Sequence, residues 1–316
     1  MFVFAVEEAH AEVLLRAMHT VALADGEVTD KERALLDAAA RAVGRTAASL
    51  TPIEPTELAA AGLSPEESER VVQSMLLMAI MDGAGSPAEA TVVEAAARAL
   101  AVHEPRVHNL RQLAEGHVGL MRWDLTRRGY AKDELIRTFR EEGVRGVLHT
   151  FGPLLGVGSD ARTAQRWIAL GELPEGTLGH AYFSFIVGNG LSFPGEDDGI
   201  GERGAWHDML HVVGGYPIDP VGEAEVVAFM AGFRKEDPFF WLFTVALQFQ
   251  VGLVISPFAP GVPDQIDPAR FLRHHLRGAR VRKDLSADWD FRADLARPLA
   301  EVRAELGVVP IEQVLV

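Results

Sequence analysis

Two histidines four residues apart, His207 and His211, open the stretch HDMLHVVGGYPIDPVGE that ends at Glu223. On an α-helix this spacing puts both imidazoles on one face, about 6 Å apart along the axis. Asp208 is rotated by about 100° from His207 and can lean toward the same point. Gly214-Gly215 is a helix stop, and Asp219-Pro220 reads as the cap and first position of the next helix. Glu223 then falls in that helix's first turn, where the helix dipole favours a carboxylate. Two imidazoles and two carboxylates are thus offered by two helices joined by one short loop, the outline of a site for one divalent metal ion. An N2O2 set with an open position suits Zn, Mn, Fe, Co or Mg without choosing among them.

The elements that must carry these ligands read as helices throughout. Apolar residues at Val6, Ala9, Val13, Leu14, Ala17, Met18 and Val21 make a helical stripe that ends at Asp25-Gly26. Thr29 to Glu32, Ser64 to Glu67 and Ser86 to Glu89 each read as a helix start with a capping glutamate at the third position. Residues 103–125 connect two parts of the chain, partly as helix, and helical character returns from Lys132 to Phe151. Gly156 to Ala161 mimics a dinucleotide-binding glycine pattern, but no strand precedes it, so it reads as a loop. Thr177 caps a helix closed by Gly188-Asn189-Gly190, and the loop from Pro194 to Gly201 reads as polar and exposed. Asp267-Pro268 starts a helix through His274 and His275, which point about 100° apart, chelate poorly and are expected at the surface. No stretch alternates as a strand over useful length; the expected fold class is all-α.

The run from Phe239 to Ile255 is apolar apart from Thr244, Gln248, Gln250 and Gly252. It is short for a membrane span. Phe239 to Phe243 are consecutive large side chains that point all round a helix, which demands burial on every side or a hydrophobic ligand on one. The run is expected to be a buried helix that walls a lipid pocket through Phe239, Leu242, Phe243 and Leu253.

The chain of 316 residues carries a net charge of −15 and no cysteine. Thiolate chemistry, thiolate metal sites and disulfides are therefore excluded. An acidic chain without a basic stripe argues against nucleic acid and against electrostatic docking to anionic lipid. The first eight residues lack the basic start of a signal peptide, and a cytoplasmic location is expected.

Two resemblances organise the chain. His-Asp-x-x-His, eleven residues and then Glu resembles the signature of the Coq-four family of coenzyme Q (ubiquinone) biosynthesis proteins. Leu173 to Tyr182, Asp288 to Phe291 and Arg297 to Gly307 look like further segments of that family, so the resemblance covers about residues 120–316. In the N-terminal part, Ala24-Asp25-Gly26 aligns with Met81-Asp82-Gly83, and Ala38 to Val43 with Ala95 to Leu100, at a spacing of 57. This repeat resembles the small helical domains of the tellurite-resistance TerB family. The expected organisation is a helical TerB-like domain over 1–118, folding on its own, and a metal-binding domain over 119–316. Members of the TerB family are suspected of binding metal at their acidic turns, here Asp25, Glu27, Asp30 and Glu32, with Asp82 and Glu89 in the second half. The alternative is that these acids are helix caps and first-turn charges.

The Coq-four resemblance implies a helical metalloprotein that acts on a prenylated aromatic ring and replaces its C1 carboxyl with a hydroxyl. His207, Asp208, His211 and Glu223 would hold the metal, and His180 or Tyr182 could donate to a ligand from the next layer. The implied partners are a prenylated small molecule and other biosynthetic proteins or a second copy of the chain, with peripheral contact at the inner membrane face. A non-catalytic lipid-binding or assembly subunit is the second reading. A zinc hydrolase is the third, but Asp208 is a methylene shorter than the glutamate that serves as base in such sites.

Overall fold

The computed structural model describes residues 3–128, 160–197, 199, 201–202, 204–255 and 260–314. The helix expected over 132–151 and the glycine-rich loop at 156–159 lie outside these residues. The described residues are helical, without a strand. Where the sequence places caps, the helices begin. The first five are α1 (Ala11–Ala22), α2 (Asp30–Ala42), α3 (Pro55–Ala59), α4 (Pro65–Ala79) and α5 (Pro87–Ala99). Thr29, Ser64 and Ser86 close complete capping boxes with Glu32, Glu67 and Glu89. Each box satisfies two backbone N–H groups that a helix start otherwise leaves without partners. The connecting segment forms α6 (Pro105–Ala114) and α7 (Val118–Arg128). There follow α8 (Ala161–Ile168), α9 (Leu178–Gly188), α10 (Ala205–Gly214), α11 (Pro220–Phe233), α12 (Pro238–Phe249), α13 (Pro268–Ala279) and α14 (Leu299–Leu306). No helix among the described residues is long and apolar enough to cross a membrane.

The chain forms two compact units, and they do not follow the 118/119 boundary expected from the repeat and the motif. One unit joins Met1–Leu125 to Val227–Ala279 and Pro310–Val316; the other joins Thr126–Val226 to Arg280–Val309. In the first unit α1 packs on α2, α4 and α5, while α13 lies on α2 and α12 on α4. Phe239, Leu242 and Phe243 of α12 are buried there, as is most of that helix. Polar side chains fix the later segments onto the earlier ones. The Gln250 amide donates to Met81 O (2.9 Å), and its carbonyl accepts from Ile266 N (3.3 Å). Arg106 binds Asp237 through two nitrogens (2.7 and 2.8 Å), and Asp237 accepts from Phe240 N at the start of α12. Such a forked pair fixes orientation as well as distance.

Two local expectations are corrected. His274 and His275 are buried, not at the surface. His275 Nδ1 lies 3.2 Å from Ala228 O and donates to it, while Nε2 accepts from Val3 N at 3.1 Å. Both ring nitrogens are used by the neutral form, so the side chain is a core connector that adjacency to a second histidine does not reveal. The loop after α9 is also less exposed than its polarity suggests. Phe193, Pro194 and Gly199 are buried, and Gly195 O accepts from Asp160 N (2.9 Å) at the start of α8.

Two outcomes are expected. A fragment of residues 119–316 strips α12 and α13 of the helices they pack on, exposes their apolar surface and aggregates; a soluble fragment with native helix content contradicts this. Burial lowers the His275 imidazole to about pKa 3, despite its bond to Ala228. The folded-state pKa lies below the unfolded value, so the contribution is neutral above about pH 6.5. Stability is then lost as pH falls toward 3, by about 1.4 kcal/mol per pH unit. In urea titrations at pH 7 and pH 5, the fall in stability should be smaller for His275→Gln than for wild type.

Candidate metal centre

The candidate ligands all lie in the second unit. Gly215 ends α10 in the left-handed conformation (φ 76°), and both Gly215 N and Tyr216 N bond to His211 O (2.7 and 2.9 Å). This tight stop turns the chain back within four residues. Asp219 accepts from Gly222 N (2.8 Å), and α11 starts at Pro220 as the sequence indicates. Gly222 is required by contact: a Cβ there would meet Pro217 O at 2.1 Å. The loop can therefore press against the first turn of α11 and bring Glu223 over α10.

The result is a convergence of three side chains. His207 Nε2 lies 3.2 Å from His211 Nε2 and 3.3 Å from Glu223 Oε2, and His211 Nε2 lies 3.3 Å from Glu223 Oε1. Ligands about 2.0–2.1 Å from a metal at tetrahedral angles stand about 3.3–3.4 Å apart, so the spacing fits one ion. The tautomer fits as well. His211 Nδ1 is 3.2 Å from Tyr216 O and donates to it, which leaves the Nε2 lone pair facing Glu223 and His207. Phe185 of α9 stacks on the His211 ring, with centroids 5.6 Å apart at 29°. His211 is buried, whereas His207 is about one third exposed, so the centre opens on the His207 side.

The electrostatics register the same crowding. Burial works against an ionised Glu223, yet hydrogen bonds from His207 and His211 hold its pKa at about 2. Burial likewise disfavours a charged His207, but its bond to Glu223 and the charges of Glu223 and Asp208 raise its pKa. Without a cation these groups can coexist only by sharing protons.

Asp208 stands apart from this group. His207, His211 and Glu223 each present a ligand atom within 4.8 Å of the others, and Asp208 does not join them. Burial pushes its carboxyl up to about pKa 6, against the pull of His207 and His211. It faces Tyr182 of α9, whose hydroxyl is buried and forms no hydrogen bond within normal limits among the described residues. The Asp208 charge still acts on the phenol proton, adding to burial to raise its pKa. His180 has Ser184 as its side-chain partner (3.5 Å) and does not belong to the group of His207, His211 and Glu223. The proposed pocket residues Phe239, Leu242 and Phe243 are covered by protein in the first unit, and Leu253 follows them there, half-buried.

Sequence spacing alone did not indicate what holds α10. Arg303 of α14 donates to the carbonyls of Val213 (2.8 Å) and Val212 (2.9 Å) in its last turn, where a cation suits the helix dipole. Arg303 lies in the Arg297–Gly307 stretch that carries the family resemblance. The Leu173–Tyr182 stretch joins the same framework through Leu178 N to Arg297 O (2.9 Å) and Gly179 N to Leu295 O (2.8 Å). The three segments therefore meet as one assembly around the ligands.

Neither a protein-family model nor a curated protein matches this sequence. A solved structure of a protein from Nostoc punctiforme PCC 73102, provisionally assigned to ubiquinone biosynthesis, is similar at 22% identity. The match covers 64% of this chain and 95% of that one, with a TM-score of 0.34.

In the first unit, Asp25, Asp82 and Glu89 also bring carboxylate oxygens within 4.8 Å of one another. Glu32 and Glu89 are engaged in their capping boxes, as the alternative reading of these acids required.

Arg303→Met should lower the melting temperature, since losing a charged hydrogen-bond donor costs about 1.5–3 kcal/mol. It should also weaken divalent-metal binding about 10–100-fold, as loss of an outer support does. Thermal melts with and without added zinc report both effects; a variant with unchanged metal dependence would separate Arg303 from the site.

Proposed function

We propose that the second unit binds one divalent metal ion through His207, His211 and Glu223, and that the protein is of the ubiquinone-biosynthesis type. Its substrate on this reading is a lipid-tailed aromatic ring, whose C1 carboxyl is exchanged for a hydroxyl. The observation that carries the metal assignment is the meeting of two imidazole nitrogens and a carboxylate at 3.2–3.3 Å, with the His211 tautomer set by Tyr216 O. Two histidines and one carboxylate leave positions open for substrate, as in non-haem oxygenase and His2Glu zinc sites. A metal bound there supplies Lewis-acid polarisation of a ring oxygen or carboxylate. The exchange releases carbon dioxide and oxidises the ring carbon by two electrons, so it needs an external oxidant such as dioxygen.

The residues around the centre support an aromatic, apolar ligand. Phe185 lies flat on His211, and Val187 and Leu191, just beyond it in sequence, are 56% and 39% exposed. This surface belongs to the same unit as the ligands, whereas the α12 side chains do not. A lipid tail is therefore better matched to the end of α9 than to Phe239, Leu242 and Phe243. The hydrolase reading gains nothing, because Asp208 stands where such sites carry a glutamate base and is a methylene shorter.

Elemental analysis of the full chain should find one divalent metal per molecule. His211→Ala and Glu223→Gln should lose most of it while keeping their helical circular dichroism. Full metal occupancy in both variants would sink the assignment. Mass spectrometry of organic extracts then tests the substrate class: a prenylated hydroxybenzoate should be retained by wild type and lose its carboxyl under air. Retention without conversion favours a lipid-binding or assembly role.

A further inference from the structure

α11 runs without a break from Pro220 to Phe233, so one element carries Glu223 in its first turn and Gly232 near its end. Its residues up to Val226 belong to the second unit, and Val227–Phe233 belong to the first. Within the first unit, the end of α11 is seated on α13 at backbone distance. A Cβ at Gly232 would meet His275 O at 2.3 Å, and a Cβ at Gly278 would meet Phe229 O at 1.9 Å. Two glycines thus let the main chains of the helices touch, where any side chain would force them apart. Two side chains of α13 complete the seat. His275 Nδ1 donates to Ala228 O (3.2 Å), and Arg277 lies over the Phe229 ring, 5.5 Å from its centroid. A continuous helix transmits such a setting, because each residue is fixed at about 1.5 Å and about 100° from the last. Glu223 lies only about 13 Å along the axis from Gly232.

Resting on the metal-centre reading above, we propose that Gly232 and Gly278 are positioning residues for the metal centre. By seating the end of α11 in the first unit, they set the height and rotation at which Glu223 is offered to the ion. The first unit then serves the centre without supplying a ligand, and what shifts α11 there changes metal affinity. Metal–ligand distances hold to about 0.2 Å. A methyl group at Gly278 must displace Phe229 O by about 1 Å or more, well beyond that tolerance.

The test titrates the full-length chain with Zn(II) in competition with a chromogenic chelator. Gly278→Ala should keep its helical circular dichroism and bind Zn(II) about 10–100-fold more weakly, as for loss of an outer support. Ser86→Ala removes the cap of α5 in the same unit and should lower the melting temperature without changing Zn(II) affinity. Wild-type affinity in folded Gly278→Ala, or an equal loss in Ser86→Ala, would overturn the proposal. Hydrogen exchange on the wild-type chain decides the matter should Gly278→Ala not fold. By linkage, Zn(II) should slow amide exchange in Val227–Phe233 and in α13 more than in α5. No slowing there, or the same slowing in α5, would likewise overturn it. Failure of the wild-type chain to bind Zn(II) would instead remove the metal-centre reading itself, and this inference with it.

Discussion

Three electron-pair donors pointed at one another within 3.3 Å are not a stable arrangement by themselves. Two neutral imidazole nitrogens and a carboxylate repel unless something positive lies between them, a proton or a metal ion. The chain accepts that cost at one place and surrounds it with geometry that prevents escape. The left-handed Gly215 reverses the chain, and Gly222 admits Pro217 O where any side chain would collide. Tyr216 O holds the His211 ring from behind. Each device acts on a different degree of freedom: helix end, helix approach and ring rotation. Together they make the convergence a consequence of backbone geometry.

That backbone is held in turn by segments far away in sequence. Arg303 grips the last turn of α10, while the Leu178 and Gly179 amides tie α9 to the segment leading into α14. Phe185, on α9, then stacks on the His211 ring. The path from Arg297 through α9 to the ligands runs over hydrogen bonds and ring contacts, with Leu178, Ile186, Met209 and Leu210 buried on the same helices. In the second unit the contacts to the ligands serve orientation. The first unit is organised for burial: Phe239, Leu242 and Phe243 are enclosed, and Gln250 and His275 spend their polar atoms on the backbone.

What was legible in the sequence follows from this difference. Caps and stops are local, so Thr29, Ser64, Ser86, Thr177 and Asp219 could be read directly, and the structure uses each of them. The i, i+4 histidines and the turn to Glu223 were equally local. The hold of Arg303 on α10 comes from 90 residues beyond Val213, and periodicity carries no such information. The same holds for His275, whose neutral, buried state is fixed by Val3 and Ala228. The grouping of residues 227–279 with the N-terminal helices was hidden for a related reason. An apolar helix must be buried, but its composition does not say against which partner.

Carboxylate proximity alone would have ranked the two clusters of this protein alike, and their electrostatics separate them. Glu89 and Glu223 are both withdrawn from water, yet their carboxyl groups move in opposite directions. Burial, reinforced by Asp82 and Glu32, pushes Glu89 up to about pKa 7 against its bonds to Ser86. Imidazoles outweigh burial at Glu223 and hold it at about 2. At the first site burial and neighbouring carboxylates favour the protonated form, and its glutamate is already serving a helix cap. The second keeps its carboxylate ionised and gathers two imidazole nitrogens at the same point. Mixed nitrogen and oxygen donors with a fixed tautomer discriminate in favour of a transition-metal-like ion; carboxylates gathered at helix starts do not. The imidazoles, and the carbonyl that orients one of them, are therefore what distinguish the centre at His207, His211 and Glu223 from the acidic turns of the repeat.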